Sequence, residues 1–211
     1  MRLTFIGHGH VGGALADHLQ RLGHDVTIAA RDATSPKLAP LLDRNPQLAV
    51  AEPSVAVRDA DIIFLATPFM AHAEVLPPLA DALAGKILVD CTNPVGPKVS
   101  HGLGSTTSGT ETIQGMLPRT MVVKAFTIYG YENFEDNRFP EANVRPVMMY
   151  CGDDASAKTT VGTLIDALGW EPLDVGGASQ ALHLEHMTLL WVKMVRMGGR
   201  SPHTVWARLT R

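Results

Sequence analysis

Short apolar runs recur along this chain, each cut off by glycine, proline or a small polar residue and followed by a stretch of helical period. Leu3-Thr4-Phe5-Ile6 stops at Gly7, residues 61–66 stop at Thr67-Pro68, and residues 86–90 stop at Cys91-Thr92-Asn93-Pro94. Runs of four to six apolar residues without alternation suit strands covered on both faces, which a parallel sheet between two helical layers provides. Further strands are expected at 25–30, 48–50, 120–125, 146–151 and 171–175. Helices are expected at 11–22, 36–42, 53–58, 69–83, 110–117, 154–168 and 178–197. Pro77-Pro78 should split the fourth of these, because proline cannot donate to the helix ladder. Residues 95–112 and 129–144 read mainly as loop. The fold class that follows is α/β: a doubly wound, mostly parallel sheet over residues 1–176, with a small C-terminal helical extension, 177–211, packed on the core or on a second subunit.

Length and charge narrow the function. The 211 residues support one substantial core rather than two independent ones. A formal net charge of −3 with no basic run gives no electrostatic footprint for nucleic acid. No apolar stretch reaches the roughly 18 residues of a membrane span, and the first apolar run is too short for a secretory core. Two cysteines, Cys91 and Cys151, suit a reducing compartment, so a cytoplasmic protein is expected.

The first β-α junction reads Gly7-His8-Gly9-His10-Val11-Gly12. Gly7 permits a tight turn, Gly9 lets the backbone approach a pyrophosphate, and Gly12 lets helix and strand pack closely. Free amides at the helix start and the macrodipole supply the anion site without a lysine. The second strand ends in Ala29-Ala30-Arg31, where a protein selecting NAD usually carries Asp or Glu. A guanidinium forks onto phosphate oxygens, so Arg31, with Ala30, points to a 2′-phosphate and therefore to NADP. Asp32 follows directly, and a one-residue register change would exchange the two roles. Ligands of open α/β sheets sit outside the carboxyl ends of strands, which brings Ala66, Thr67, Pro68, Asn93, Pro94 and Ala125 to the same edge.

These segments and several later ones resemble the coenzyme F-420-dependent NADP oxidoreductase family. The shared features are Gly-His-Gly-His-Val-Gly (7–12), Ala-Ala-Arg (29–31), Leu-Ala-Thr-Pro-Phe (65–69), Asp-Cys-Thr-Asn-Pro (90–94) and Val-Val-Lys-Ala-Phe (122–126). They continue in Cys-Gly-Asp-Asp (151–154), Asp-Val-Gly-Gly (174–177) and Leu-Glu-His-Met-Thr-Leu-Leu-Trp (184–191). The resemblance implies a dinucleotide-binding Rossmann fold; a homodimer is expected from the last helix, which is apolar on more than one face and so buried in the core or against another subunit. The resemblance also implies pyrophosphate contacts from His8, Gly9, His10 and Val11, a 2′-phosphate held at Arg31, and a nicotinamide half along Thr67, Asn93 and Ala125. The implied reaction is direct hydride transfer between NADP and a deazaflavin (F-420) or a flavin (FMN or FAD) as second substrate, with no catalytic side chain required. The chain departs from the family at Thr127, where Asn is common, and at His186, where Pro is common.

Rival readings remain beside this one. Neither His8/His10 nor His183/His186 is accompanied by the ligands of a metal site. Cys91 and Cys151 lack a base partner, and Ser105 and Ser108 lack a nucleophile-elbow context. A small-carbonyl or imine reductase would use the same loop, but usually appends a longer helical domain than residues 177–211 provide. An NADPH-binding redox sensor or scaffold without turnover is the non-enzyme alternative.

Overall fold

The computed structural model describes residues 1–211. The chain runs β1 (Arg2–Ile6), α1 (His10–Arg21), β2 (Asp25–Ala29), α2 (Ala39–Arg44), β3 (Ala49–Ala51), α3 (Pro53–Asp59) and β4 (Ile62–Leu65). It continues through α4 (His72–Val75), α5 (Ala80–Leu83), β5 (Ile87–Asp90), β6 (Val95–Gly96), β7 (Ser100–His101), α6 (Gly109–Met116) and β8 (Met121–Lys124). It ends with α7 (Glu132–Glu135), β9 (Val147–Gly152), α8 (Ala155–Ala167), β10 (Glu171–Asp174) and α9 (Ala181–Val192), the last prolonged by a wider π-helical turn over Lys193–Met197.

Eight strands form one sheet in the order β10-β9-β8-β5-β4-β1-β2-β3. All neighbours are parallel except β8 and β9, which pair antiparallel through Val123–Gly152 and Lys124–Cys151. Strand order reverses beside β1, so the carboxyl ends of β1 and β4 flank the topological switch point where α/β sheets bind ligands. Each face of the sheet carries its own apolar layer. The larger includes Phe5, Leu15, Phe64, Phe126, Trp170 and Trp191, with Phe5 and Phe64 stacked at 4.5 Å across β1 and β4. The smaller gathers Ile63, Leu65, Leu79, Leu88 and Ile113 under α3, α5 and α6. Burying a side chain of this size contributes roughly 1.5–3 kcal/mol, which explains why the strands carry almost no polar residue before their ends.

Two readings of the sequence need correction. The 95–112 stretch is not simply loop: β6 and β7 pair as an antiparallel hairpin, Val95 opposite His101. Two-residue strands leave no periodicity to read. Residues 129–144 contain the single turn α7, likewise too short to show a period. Along the C-terminal helix, His183, His186, Leu190, Lys193 and Met197 form a stripe facing solvent. Its inner face, with Ala181, Leu184, Trp191 and Val195, packs into the larger core, and Trp191 donates to the Thr204 carbonyl at 2.7 Å. The split expected at Pro77-Pro78 is present, with α4 and α5 separated by a tight 3₁₀ turn over Pro77–Leu79.

Candidate dinucleotide site

The glycine loop is shaped by contacts that tolerate no side chain. A Cβ on Gly12 would stand 2.1 Å from the Gly7 carbonyl oxygen. A Cβ on Gly7, whose φ is +105°, would stand 2.6 Å from the Ala66 carbonyl. Both press β1, β4 and the start of α1 together. Gly9 is different: a Cβ there meets nothing within 4 Å, so open space lies in front of the α1 N-terminus. Gly9 is the N-cap of α1, no side chain caps the helix, and its first turn carries no acid. The amides of its first turn are therefore free to receive an anion.

From this loop a cleft of about 460 Å³ runs across the ends of β1 and β2. Gly7, His8, Ala30, Arg31 and Thr67 line it, together with Asp32, Ser35, Glu52 and Glu74. Arg31 is loosely held: its side chain is 84% exposed and its one ion pair, to Glu74, is 3.9 Å long. Asp32 is engaged locally, accepting from the Thr34 amide (2.9 Å) and hydroxyl (2.7 Å), which holds its carboxyl below the ordinary value. Burial and, less strongly, the charge of Lys37 push the His8 imidazole down, so its ring is neutral against the cleft. His10 turns outward and stacks on Tyr131 at 4.4 Å with an interplanar angle of 23°. Tyr131 in turn lies 6.0 Å from the Arg196 guanidinium.

The remaining strand ends converge on a second region of the same edge. Asn93 is half-buried; its side-chain oxygen accepts from Thr188 Oγ1 (3.1 Å), and its amide donates to the Thr127 carbonyl (3.4 Å). Ala125 and Pro94 are buried, so they shape the floor without presenting surface. Phe126 adopts φ +57°, which turns the chain so that the Thr127 carbonyl meets both Asn93 and Thr188. Of the two positions that depart from the family pattern, Thr127 has a buried hydroxyl without a hydrogen-bond partner. His186 shares a 2.9 Å hydrogen bond with Ser105 on the loop after the β6–β7 hairpin.

Beneath Asn93 and Ala125 lies an ionic cluster that reading the sequence did not single out. Lys124 Nζ is 3.1 Å from Asp90 Oδ2 and 3.0 Å from Glu185 Oε1, and all three side chains are buried. Asp90 also accepts from Thr92 Oγ1 (2.6 Å), the Thr92 amide (2.9 Å) and Thr110 Oγ1 (2.7 Å). Glu185 also accepts from the Gly109 amide (2.9 Å) and pairs with His101 Nε2 (2.7 Å). Burial alone would push the Asp90 carboxyl up, but Lys124 and the threonine hydrogen bonds outweigh it and hold it below its ordinary value. Burial would likewise lower Lys124, yet Asp90 and Glu185 hold it above the usual lysine value. The signal was available: Asp90 and Lys124 each end a strand that is otherwise wholly apolar, and a buried charge needs a partner.

A glycine turn ahead of an uncapped helix, at the reversal point of a doubly wound sheet, defines a dinucleotide-binding protein of the Rossmann class. The comparisons make this more specific. Residues 2–94, a little under half of the chain, match the family described as NADP oxidoreductase, coenzyme F420-dependent. The rat metalloreductase STEAP3 is 32% identical over 188 residues, 89% of this chain but 36% of the relative, so the chain spans about a third of that curated protein. A solved structure from Arthrobacter sp. FB24, carrying a provisional assignment as an F420-dependent NADP-reductase, is 29% identical with a TM-score of 0.84, covering 94% of this chain and 95% of the other. An imine reductase from Myxococcus stipitatus, solved with NADP+, shares the fold at a TM-score of 0.65 and 20% identity, over 94% of this chain and 63% of its own. No helix here is long and apolar enough to cross a membrane.

Proposed function

We propose that this chain is an NADP(H)-dependent oxidoreductase that passes hydride between the nicotinamide and a deazaflavin (F-420) or flavin-like acceptor, by direct cofactor-to-cofactor transfer. The observation that carries the reading is Arg31, a cation without a close partner in the wall of a cleft that begins at the open, uncapped start of α1. A 2′-phosphate is the group such a guanidinium serves best, because the fork matches two phosphate oxygens. The residues fit the cofactor: Gly9 and the first-turn amides of α1 would take the pyrophosphate, with His8, His10 and Val11 around it. Thr67, Pro68 and Ala66 at the end of β4, and Asn93 above buried Ala125 and Pro94, would bound the nicotinamide half.

The nicotinamide supplies the hydride when bound. The protein's contribution is to hold the ring at a fixed place, present one face and keep water from it. Cys91 is a buried thiol pushed well up by burial, and no nucleophile with an adjacent base lines the cleft. That fits a reaction between two preformed ring systems. A cytoplasmic homodimer belongs to the same reading, with the exposed Leu190 and Met197 of the C-terminal helix as candidate contact points.

The test is in two parts. Titration should show NADPH binding at least about tenfold tighter than NADH, a preference lost in Arg31→Ala; equal affinities in the parent would refute the 2′-phosphate assignment. NADPH oxidation should then proceed with a deazaflavin, FMN or FAD. Turnover confined to small carbonyls or imines would replace the proposed acceptor, and binding without any turnover would support a sensor or scaffold.

A further inference from the structure

The buried cluster of Asp90, Lys124, Glu185 and His101 can be counted for charge from its hydrogen bonds. His101 Nδ1 faces two backbone donors, the amides of Leu103 (3.3 Å) and Ser105 (3.2 Å), so it accepts and the ring proton sits on Nε2. Nε2 then donates to Glu185 Oε2 at 2.7 Å. Every other partner of Glu185, the Gly109 amide and the Lys124 ammonium, is also a donor, so Glu185 is a carboxylate. The partners of Asp90 are donors too: the Thr92 amide and hydroxyl, the Thr110 hydroxyl and Lys124. Two carboxylates therefore share one ammonium, and His101 donates to Glu185 from Nε2 while Nδ1 accepts.

Three buried titratable groups nearby, His72, Cys91 and Cys151, add no positive charge to offset this excess. His72, buried with neither ring nitrogen hydrogen-bonded, is kept neutral by burial. Cys91 is held as the thiol by burial, and burial pushes Cys151 up to about 12. The Gly109 amide at the start of α6 donates to Glu185, and a helix terminus offsets up to about half a unit charge. A net negative charge remains.

Its place in the fold gives that charge a use. Asp90 is the last residue of β5, three before Asn93, and Lys124 is the last of β8, immediately before Ala125. Glu185 lies one turn before Thr188, which bonds Asn93. We propose that this buried anionic excess sits under the nicotinamide subsite and favours the oxidised cofactor, whose ring carries a positive charge, over the neutral reduced form. The protein then binds NADP+ more tightly relative to NADPH than a neutral floor would, and so makes bound NADPH a stronger hydride donor. Glu185 and Asp90 are positioning residues in this scheme; neither touches the reacting atoms. The inference rests on the dinucleotide reading of the site.

The test is the ratio of dissociation constants for NADP+ and NADPH, measured by titration in the parent, Glu185→Gln and Asp90→Asn. Each substitution removes one negative charge and keeps the shape. Charge removal should weaken NADP+ relative to NADPH by about tenfold, the scale of one unit charge several ångströms away at an effective dielectric near 20. Structural damage alone lowers both affinities together and leaves the ratio unchanged, which would overturn the inference. Should both variants fail to fold, the parent decides: NADP+ is expected to bind about as tightly as NADPH or more so, and a preference for NADPH beyond about tenfold overturns the proposal. If neither nucleotide binds, the dinucleotide reading itself fails, a distinct outcome.

Discussion

Lys124→Met is the most demanding perturbation of this structure, because one ammonium holds two carboxylates in the core. Each contact, at 3.1 Å to Asp90 and 3.0 Å to Glu185, has a screened attraction of about 5 kcal/mol at an effective dielectric near 20. Against this stands the cost of burying the ammonium, several kcal/mol, which the methionine no longer incurs. The net loss expected for breaking a buried pair is about 3–5 kcal/mol, a large share of the roughly 5–15 kcal/mol that holds a domain folded. The assay is urea unfolding at pH 7 and pH 5. With a slope near 2 kcal/mol per M, the midpoint should fall by about 2 M at pH 7. The sign of the pH effect follows from Asp90. Without Lys124 the burial that pushes Asp90 up is less opposed, so its folded value rises, and the variant regains stability as pH falls and loses it as pH rises through the raised value. The deficit should therefore shrink at pH 5. A midpoint lowered by less than about 0.5 M at pH 7, or an identical deficit at both pH values, would refute the reasoning.

Other outcomes are expected from single groups. Gly12→Ala places a methyl 2.1 Å from the Gly7 carbonyl, so nucleotide titration should show at least about a tenfold weaker complex, with a stability loss of about 1–3 kcal/mol; unchanged affinity would remove the loop from the site. In the parent, Asp90 is depressed below its ordinary 3.8 and Lys124 raised above its ordinary 10.5. Their contributions are present from the first value up to the second, lost in acid as pH drops through the folded Asp90 value and in alkali as it climbs through the folded Lys124 value; melting temperatures against pH check both limbs. Cys91 and Cys151 are buried and held as thiols, so a thiol reagent at pH 8 should label neither until denaturant is added. Tyr129 donates to the Val147 carbonyl (2.6 Å) and accepts from the Trp206 amide (3.0 Å); Tyr129→Phe should cost about 1 kcal/mol and speed amide exchange at Trp206, and unaltered exchange there would deny it an anchoring role.

The sheet was legible because its strands are apolar on both faces and stop abruptly. All eight strands read from residues 3–175 occur in the structure, β3 displaced by one residue. What stayed hidden was either too short or too distant. The hairpin β6–β7 and the turn α7 span two and four residues, below any period that hydrophobicity can mark. The turn at Gly7 to Gly12 was legible because its residue types lie within one short stretch at a strand-to-helix junction. The ionic cluster was not, because Glu185 and Asp90 stand 95 positions apart and meet only when α9 folds back over the ends of β5 and β8. His101 reaches Glu185 across 84 positions. Sequence shows a charge where no charge should be; only the fold shows its partner.

That partner choice ties the C-terminal helix to the site. α9 meets the strand ends through two polar residues one turn apart, Glu185 on the ionic cluster and Thr188 on Asn93 and the Thr127 carbonyl. An apolar face alone could slide along the sheet, since dispersion has no direction, whereas two hydrogen-bonded anchors fix both register and rotation. The exposed stripe through His186 and Leu190 is then held at a set angle, with His186 braced by Ser105, itself in a left-handed conformation at φ +59°. Strain of that kind costs about 1–3 kcal/mol and persists only where neighbours enforce it. Here the enforcement is visible: the Ser105 amide is bound by His101 and its hydroxyl by His186. The loop after the hairpin is thereby fastened to both the buried cluster and the surface of α9.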